Sequence, residues 1–237
     1  MEMMLKLSSL PAVAKLLKMD VAFFGSAVRE AIAGGDPIEY LKTTRTPLFG
    51  YVQYMYKDFV ERELYEIVTH WEILHSMPVK STETLMVVEY TVQDRVPHPK
   101  EEDGIPSSKP FTYQIQISYI DNNYASYSEW SYMDCDLVSL HRDGLQLRHV
   151  PTNLGHHPNL FWSIVEKMKR RQYSCLIDKT DLCECTTADF QIKFFNDIYR
   201  AFAEGWVNSA HNLQEGEEKE GDKEKEQEND DQDNVCG

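Results

Sequence analysis

The residues best suited to chemistry lie between Phe23 and Leu41, in FFGSAVREAIAGGDPIEYL. A compact apolar run from Val21 to Phe24 stops at Gly25-Ser26, and Ala27 to Ala33 then has helical character until Gly34-Gly35 closes it. A strand that delivers a Gly-Ser turn to a helix start offers backbone N–H groups and the positive end of a dipole to a phosphate. Gly25 and Ser26 are therefore candidate phosphate-binding residues, with Arg29 one turn along as a second contact. The same pair also makes an ordinary helix cap.

Two further groupings contain metal-ligating types. Asp134 and Asp136 stand two apart in a stretch read as extended, so both carboxylates project to one face, where they could grip one cation together. A solvated strand edge or a turn-capping pair is the plainer account. Cys183 and Cys185 form a Cys-x-Cys pair near Cys175, and a zinc site there would need His156 or His157 brought close by folding. Five cysteines, an odd count at irregular spacing, fit reduced thiols. His141, His149, His156 and His157 have no partner spacing that signals catalysis, and no nucleophilic triad can be assembled from motifs.

Residues 23 to 41 resemble the nucleotidyltransferase fold of the DNA polymerase beta superfamily. The likeness is to the head of CCA-adding tRNA nucleotidyltransferases and poly(A) polymerases, and to the degenerate versions carried by large DNA viruses. In that family the element reads Gly-Gly-x-Val-Arg-Asp, then a short helix, then an Asp-x-Asp strand. Gly25, Ser26, Val28, Arg29 and Glu30 stand where its glycines, Val, Arg and Asp would stand, and Gly34 and Pro37 suit the turn before the second strand. Further along, Tyr113 to Ser118 resembles a strand that supplies a later carboxylate. Asp134 to Leu140, DCDLVSL, resembles an Asp-Phe-Asp-Val-Asn-like strand, and Val165 to Ile177 is similar to a basic helix followed by a strand.

The resemblance implies a reaction in which three carboxylates on adjacent strands hold two Mg²⁺ ions, one activating a hydroxyl and one stabilising the leaving pyrophosphate. Continued in register, the Asp-x-Asp pair falls on Glu39 and Leu41, and the third carboxylate on or near Gln116. Leucine cannot ligate a hard cation, and a neutral amide is a poor replacement for carboxylate charge. The expectation is a catalytically degenerate protein of this fold, acting as a binding or interaction module without a cofactor. The enzymatic alternative uses Glu39 with Asp134 or Asp136 as an irregular Mg²⁺ site for nucleotide transfer. A third reading makes the motif coincidental and leaves an α+β scaffold whose tyrosine-rich strands, with Tyr113, Tyr119, Tyr124, Tyr127 and Tyr132, form a protein-binding face.

The elements that must position these residues follow from periodicity. A helix capped by Ser8 or Ser9 is expected from Pro11 to Met19, and one long amphipathic helix from Tyr51 to Val68, where Val52, Met55, Phe59, Val60, Leu64 and Ile67 recur at helical spacing. Thr84 to Val92 and Phe111 to Ile120 are expected strands, separated by the proline-rich loop VPHPKEEDGIPSSKP. Asp121-Asn122-Asn123 marks a turn, Ser126 to Leu140 reads as extended, and Arg142-Asp143-Gly144 fits a hairpin turn. Helices are expected from Asn159 to Arg171 and from Thr187 to Val207. The order implies an α+β domain with a mixed, mostly antiparallel sheet flanked by helices.

Composition sets the outer limits. Residues 214 to 237 hold eleven Asp or Glu against three Lys, a formal −8 of the chain's −15, and are expected to form a disordered acidic tail on a single domain of residues 1 to 213. That tail is a solubilising appendage or a docking segment for a basic partner. An acidic chain argues against broad nucleic-acid binding, although a nucleotide remains a candidate ligand. The cluster Lys167, Lys169, Arg170, Arg171 suits the negative end of a helix. The first twenty residues do not read as a signal peptide, and no apolar run is long enough to span a membrane, so an intracellular setting is expected, cytoplasmic or nuclear, or that of a viral protein in its host cell.

Overall fold

A computed structural model describes residues 2–80, 83–97, 108–120, 133–148, 159–176 and 188–209. The chain divides into two compact units, one ending at Arg170 and one beginning at Arg171. The first holds a seven-stranded sheet among the described residues, built from β1 (Ala22–Phe24), β2 (Leu48–Gln53), β3 (Val68–Lys80), β4 (Glu83–Pro97), β5 (Ser108–Ile120), β6 (Val138–His141) and β7 (Gly144–Leu147). Its order is β3-β4-β5-β2-β1-β6-β7. β2 runs parallel to β5, and the other neighbours are antiparallel, so the unit is α+β with a mostly antiparallel mixed sheet.

Five helices supply the main core on one face of this sheet: α1 (Glu2–Ser8), α2 (Pro11–Lys18), α3 (Ser26–Ile32), α4 (Pro37–Thr44) and α5 (Lys57–Leu64). Leu7, Val13, Leu16, Val28, Leu41 and Val60 from the helices pack with Phe23, Leu48, Val52, Val88, Ile115 and Ile117 from the strands. Because side chains alternate along a strand, the intervening residues Ala22, Phe24, Tyr51 and Ile120 gather separately on the opposite face. The helix α6 (Leu160–Lys169) packs against α3 and β6. In the second unit, β8 (Gln172–Tyr173) pairs in parallel with β9 (Val207–Asn208). Between them in sequence, α7 (Ala188–Ala203) leads through Gly205, at φ 81°, to the buried Trp206. Among the described residues no helix is long and apolar enough to cross a membrane.

Several sequence expectations change. Ser8 and Ser9 do not cap α2: their hydroxyls donate back to Leu5 O and Lys6 O at the end of α1, and Ala12 N donates instead to Asp94 Oδ2 at 3.1 Å. The long helix from Tyr51 to Val68 is four elements, β2, a 3-10 turn over Tyr54–Tyr56, α5 and the start of β3. Each turns apolar residues toward one shared core, and together they imitate a helical period. The strand expected at Glu39 and Leu41 is the helix α4, because Asp36 Oδ1 accepts from Ile38 N at 3.0 Å and Glu39 N at 3.3 Å and Pro37 fills the first turn. The last helix stops at Ala203 rather than Val207. The turn at Asp121 to Asn123 and the tail from residue 214 lie outside the described residues.

Candidate functional site

Gly25 joins β1 to α3 at φ 81°, a conformation that side chains rarely adopt, and a Cβ there would stand 3.1 Å from the Phe49 ring. The next turn faces inward. Ser26 and Arg29 are 7% and 4% exposed. Arg29 Nη1 donates to Asp136 Oδ1 at 2.5 Å and Nη2 donates to Ser26 Oγ at 3.1 Å. A phosphate at this turn would compete with Asp136 for the guanidinium, and α3 has only seven residues to supply a dipole.

Asp134 and Asp136 are not on a strand. They lie in a 3-10 turn, Asp134–Leu137, which sends them to different cations: Asp134 Oδ2 accepts from Lys167 Nζ at 2.9 Å, and Asp136 takes Arg29. Their expected shared grip on one metal is thereby corrected. Cys135 between them is buried, and desolvation pushes its thiol well above the usual range, so it is not a reactive thiolate. Glu39 sits on the exposed side of α4 with Lys42 Nζ 3.8 Å away, while Leu41 is core. Gln116 alternates with the core residues Ile115 and Ile117 and so belongs to the sheet's other face. Among the described residues no group of three His, Cys, Asp or Glu side chains gathers to hold a metal.

Other candidates resolve differently. Cys175 Sγ accepts from Asn208 Nδ2 at 3.4 Å, while Cys183, Cys185, His156 and His157 lie outside the described residues. Tyr113 and Tyr119 do not form a binding face. Tyr113 donates to Asp94 Oδ2 at 2.8 Å, Tyr119 and Tyr90 share a 2.7 Å hydroxyl bond, and both β5 tyrosines are buried because they occupy the core-facing phase of the strand. Tyr124, Tyr127 and Tyr132 are outside the described residues. Of the basic cluster, Lys167 binds Asp134 and Lys169 binds Glu166 Oε1 at 2.6 Å, in keeping with charges at a helix end.

Sequence reasoning missed the grouping that the sheet does assemble, on the face away from α1 to α5. Phe24, Phe49 and Tyr51 lie side by side, with ring centroids 6.0 Å and 5.8 Å from Phe24. The Arg148 guanidinium lies 4.4 Å over Phe24 and 4.9 Å over Tyr51, and its Nη1 donates to Asp136 O at 3.3 Å. Ser139 Oγ and His141 Nε2 are 2.9 Å apart, with Tyr51 Oη at 3.4 Å and 3.5 Å from them. Ser139 is fully buried, which rules it out as an accessible nucleophile. Burial and the nearby Arg148 charge hold His141 below the ordinary imidazole range. Along the same row, Gln116 faces Phe49 and Glu89 faces Gln116 in register. Glu89 is pushed up by burial and by the Glu72 charge, against a smaller pull from His70, and accepts from Gln114 Nε2 at 2.8 Å. The available signal was the alternation in LFGYVQ, residues 48 to 53, which places Phe49 and Tyr51 on one face once the segment is a strand.

Compared with protein-family models, with curated proteins and with solved structures, the chain matches none.

Proposed function

We propose that this chain is a nucleotidyltransferase-fold protein that lacks metal-dependent transfer and acts as a binding module. The observation that carries the reading is the row of side chains beside Gly25. In the family that residues 23 to 41 resemble, transfer depends on carboxylates held on adjacent strands. Here β2 presents Phe49 and Tyr51 on the face away from α1 to α5, and β5 presents Gln116 and Ser118 beside them. None of the four ligates a hard cation well. The nearest carboxylate in that row, Glu89, stands one strand further out, hydrogen-bonded to Gln114, with its carboxyl held above the usual range by burial and by the Glu72 charge.

What this face offers is recognition without metal chemistry: the part-exposed rings of Phe24 and Phe49 and the part-exposed imidazole of His141, backed by the buried Tyr51, Ser139 and Arg148. Arg29 in the Gly-Ser turn then serves to anchor the turn to Asp136. The order of strand, Gly-Ser turn and helix, with the next strand paired beside the first, supports the fold assignment.

The test is incubation of the full chain with labelled nucleoside triphosphates, Mg²⁺ or Mn²⁺, and RNA, protein and small-molecule acceptors. No incorporation above a no-enzyme control is expected. Incorporation that disappears in Glu39→Ala or Asp136→Ala would overturn the reading and restore an active enzyme with an irregular metal site.

A further inference from the structure

We infer that the cleft between α5 and the edge strand β3, walled by Tyr65 and Trp71 over Tyr90 with Glu61 at its side, binds an organic cation of the methylated-ammonium class. The cleft has a volume of about 350 Å³ and is also bordered by Thr69 and His70. That size suits a small-molecule ligand. The inference stands apart from the aromatic face beside Gly25 and does not depend on it.

Register explains the arrangement. β3 is the outermost strand of the sheet, and Trp71 pairs directly with Tyr90 on β4, so both rings rise on the face that α5 partly covers. Tyr90 is 2% exposed and forms the floor, whereas Trp71 is 56% and Tyr65 83% exposed. Neither wall residue belongs to the main core cluster, so their aromatic area remains in water without serving the fold. The Tyr90 hydroxyl is already bonded to Tyr119 at 2.7 Å, which leaves the floor with no unmet polar demand there.

The charge comes from Glu61, which is bonded through Oε1 to Lys57 Nζ at 2.6 Å on the same helix. Burial holds the Tyr90 and Tyr119 hydroxyls well above the ordinary phenol range, and the Glu61 charge raises both further, so its field reaches the floor of the cleft. Three aromatic side chains and one carboxylate attract a cation through ring quadrupoles and direct charge. A primary ammonium would have to surrender up to three hydrogen bonds to water, with few acceptors to replace them. A methylated ammonium makes no such demand and presents methyl groups to the rings. An uncharged apolar ligand gains nothing from the ring quadrupoles or from the Glu61 carboxylate.

Calorimetric titration of the full chain at one fixed pH tests this. The probes are choline, its neutral isostere 3,3-dimethylbutan-1-ol, ethanolamine and a short peptide carrying trimethyl-lysine. Choline is expected to bind with a Kd of roughly 1 mM or tighter. The isostere and ethanolamine are expected to bind at least about fivefold more weakly. A peptide that binds more tightly than choline identifies a protein as the source of the group, and one that does not identifies a free solute. Trp71→Ala is expected to weaken choline binding about tenfold and Trp71→Phe much less. If Trp71→Ala fails to fold, the exposed-site variants Tyr65→Ala and Glu61→Gln carry the test, each with an expected loss of about threefold or more. Equal binding of choline and the isostere, no binding of choline, or unchanged choline affinity in both Tyr65→Ala and Glu61→Gln would overturn the inference.

Discussion

Arg29 and Asp136 lie 107 residues apart in sequence and meet where the guanidinium is only 5% exposed. Desolvating such a pair is costly, so its presence is a weak argument for stability, but removing one partner leaves the other charge buried and unmatched. Asp136→Ala is therefore expected to cost about 3–5 kcal/mol in urea unfolding. A loss below about 1 kcal/mol would instead favour a guanidinium held for a ligand. His141 gives a different residue-level signature. Its imidazole is held below the ordinary range by burial and by Arg148, so the unfolded chain takes up the proton before the folded one does. Its contribution to stability is complete above the ordinary imidazole range and is lost as pH falls through it. His141→Gln should flatten the decline in stability between about pH 7 and pH 5, and an unaltered pH profile would assign that decline to other groups.

At the scale of elements, helix α2 takes its N-terminal hydrogen bond from a distant strand. Asp94, on β4, accepts from both Ala12 N and the Tyr113 hydroxyl, and it is 2% exposed. Asp94→Ala is expected to destabilise by about 1–3 kcal/mol, whereas Ser9→Ala, which removes a bond at the end of α1, should stay within about 0.5 kcal/mol. Equal losses in denaturant titrations would refute this assignment of the cap. Gly25 and Gly34 share a positive φ, but a Cβ at Gly34 meets nothing within 4 Å whereas one at Gly25 meets Phe49. Gly25→Ala should therefore unfold at lower denaturant than Gly34→Ala, each losing about 1 kcal/mol or more from backbone strain. These contrasts also explain what could be read from sequence. The strand, Gly-Ser turn and short helix at residues 22 to 32, the strand β5 and the hairpin at Gly144 were legible because apolar period and turn residues act locally. The aspartate that caps α4 was adjacent to the motif yet lost to the register of the resemblance, and β3 was hidden because α5 and its flanks mimic one helix. The aromatic face is invisible from sequence because Phe24, Tyr51, Ser139 and Arg148 come from separate segments and meet only once strand order and register are set.

For the molecule as a whole, the distribution of the core is informative. The main buried cluster draws on residues from Leu7 to Leu140, all within the first compact unit, while Trp206 and Phe194 are buried in the second. A core of that extent, formed by five helices on a seven-stranded sheet, is large enough to fold cooperatively. A fragment ending at Arg170 is therefore expected to keep far-UV circular dichroism of mixed α and β character and to unfold in urea through a single transition. Loss of a sharp transition in that fragment would show that the second unit is required for the first. Removing residues 214 to 237 addresses the charge carried by the chain's end. Those residues hold −8 of a formal −15, so any basic partner they recruit should bind with an affinity that falls steeply with salt. Comparing the full chain with the deletion at two salt concentrations isolates that contribution, since a docking tail predicts a weaker complex and a shallower salt slope after deletion. An unchanged affinity and slope would leave recognition to the folded units, where the aromatic face beside Gly25 and the cation cleft are the surfaces to test.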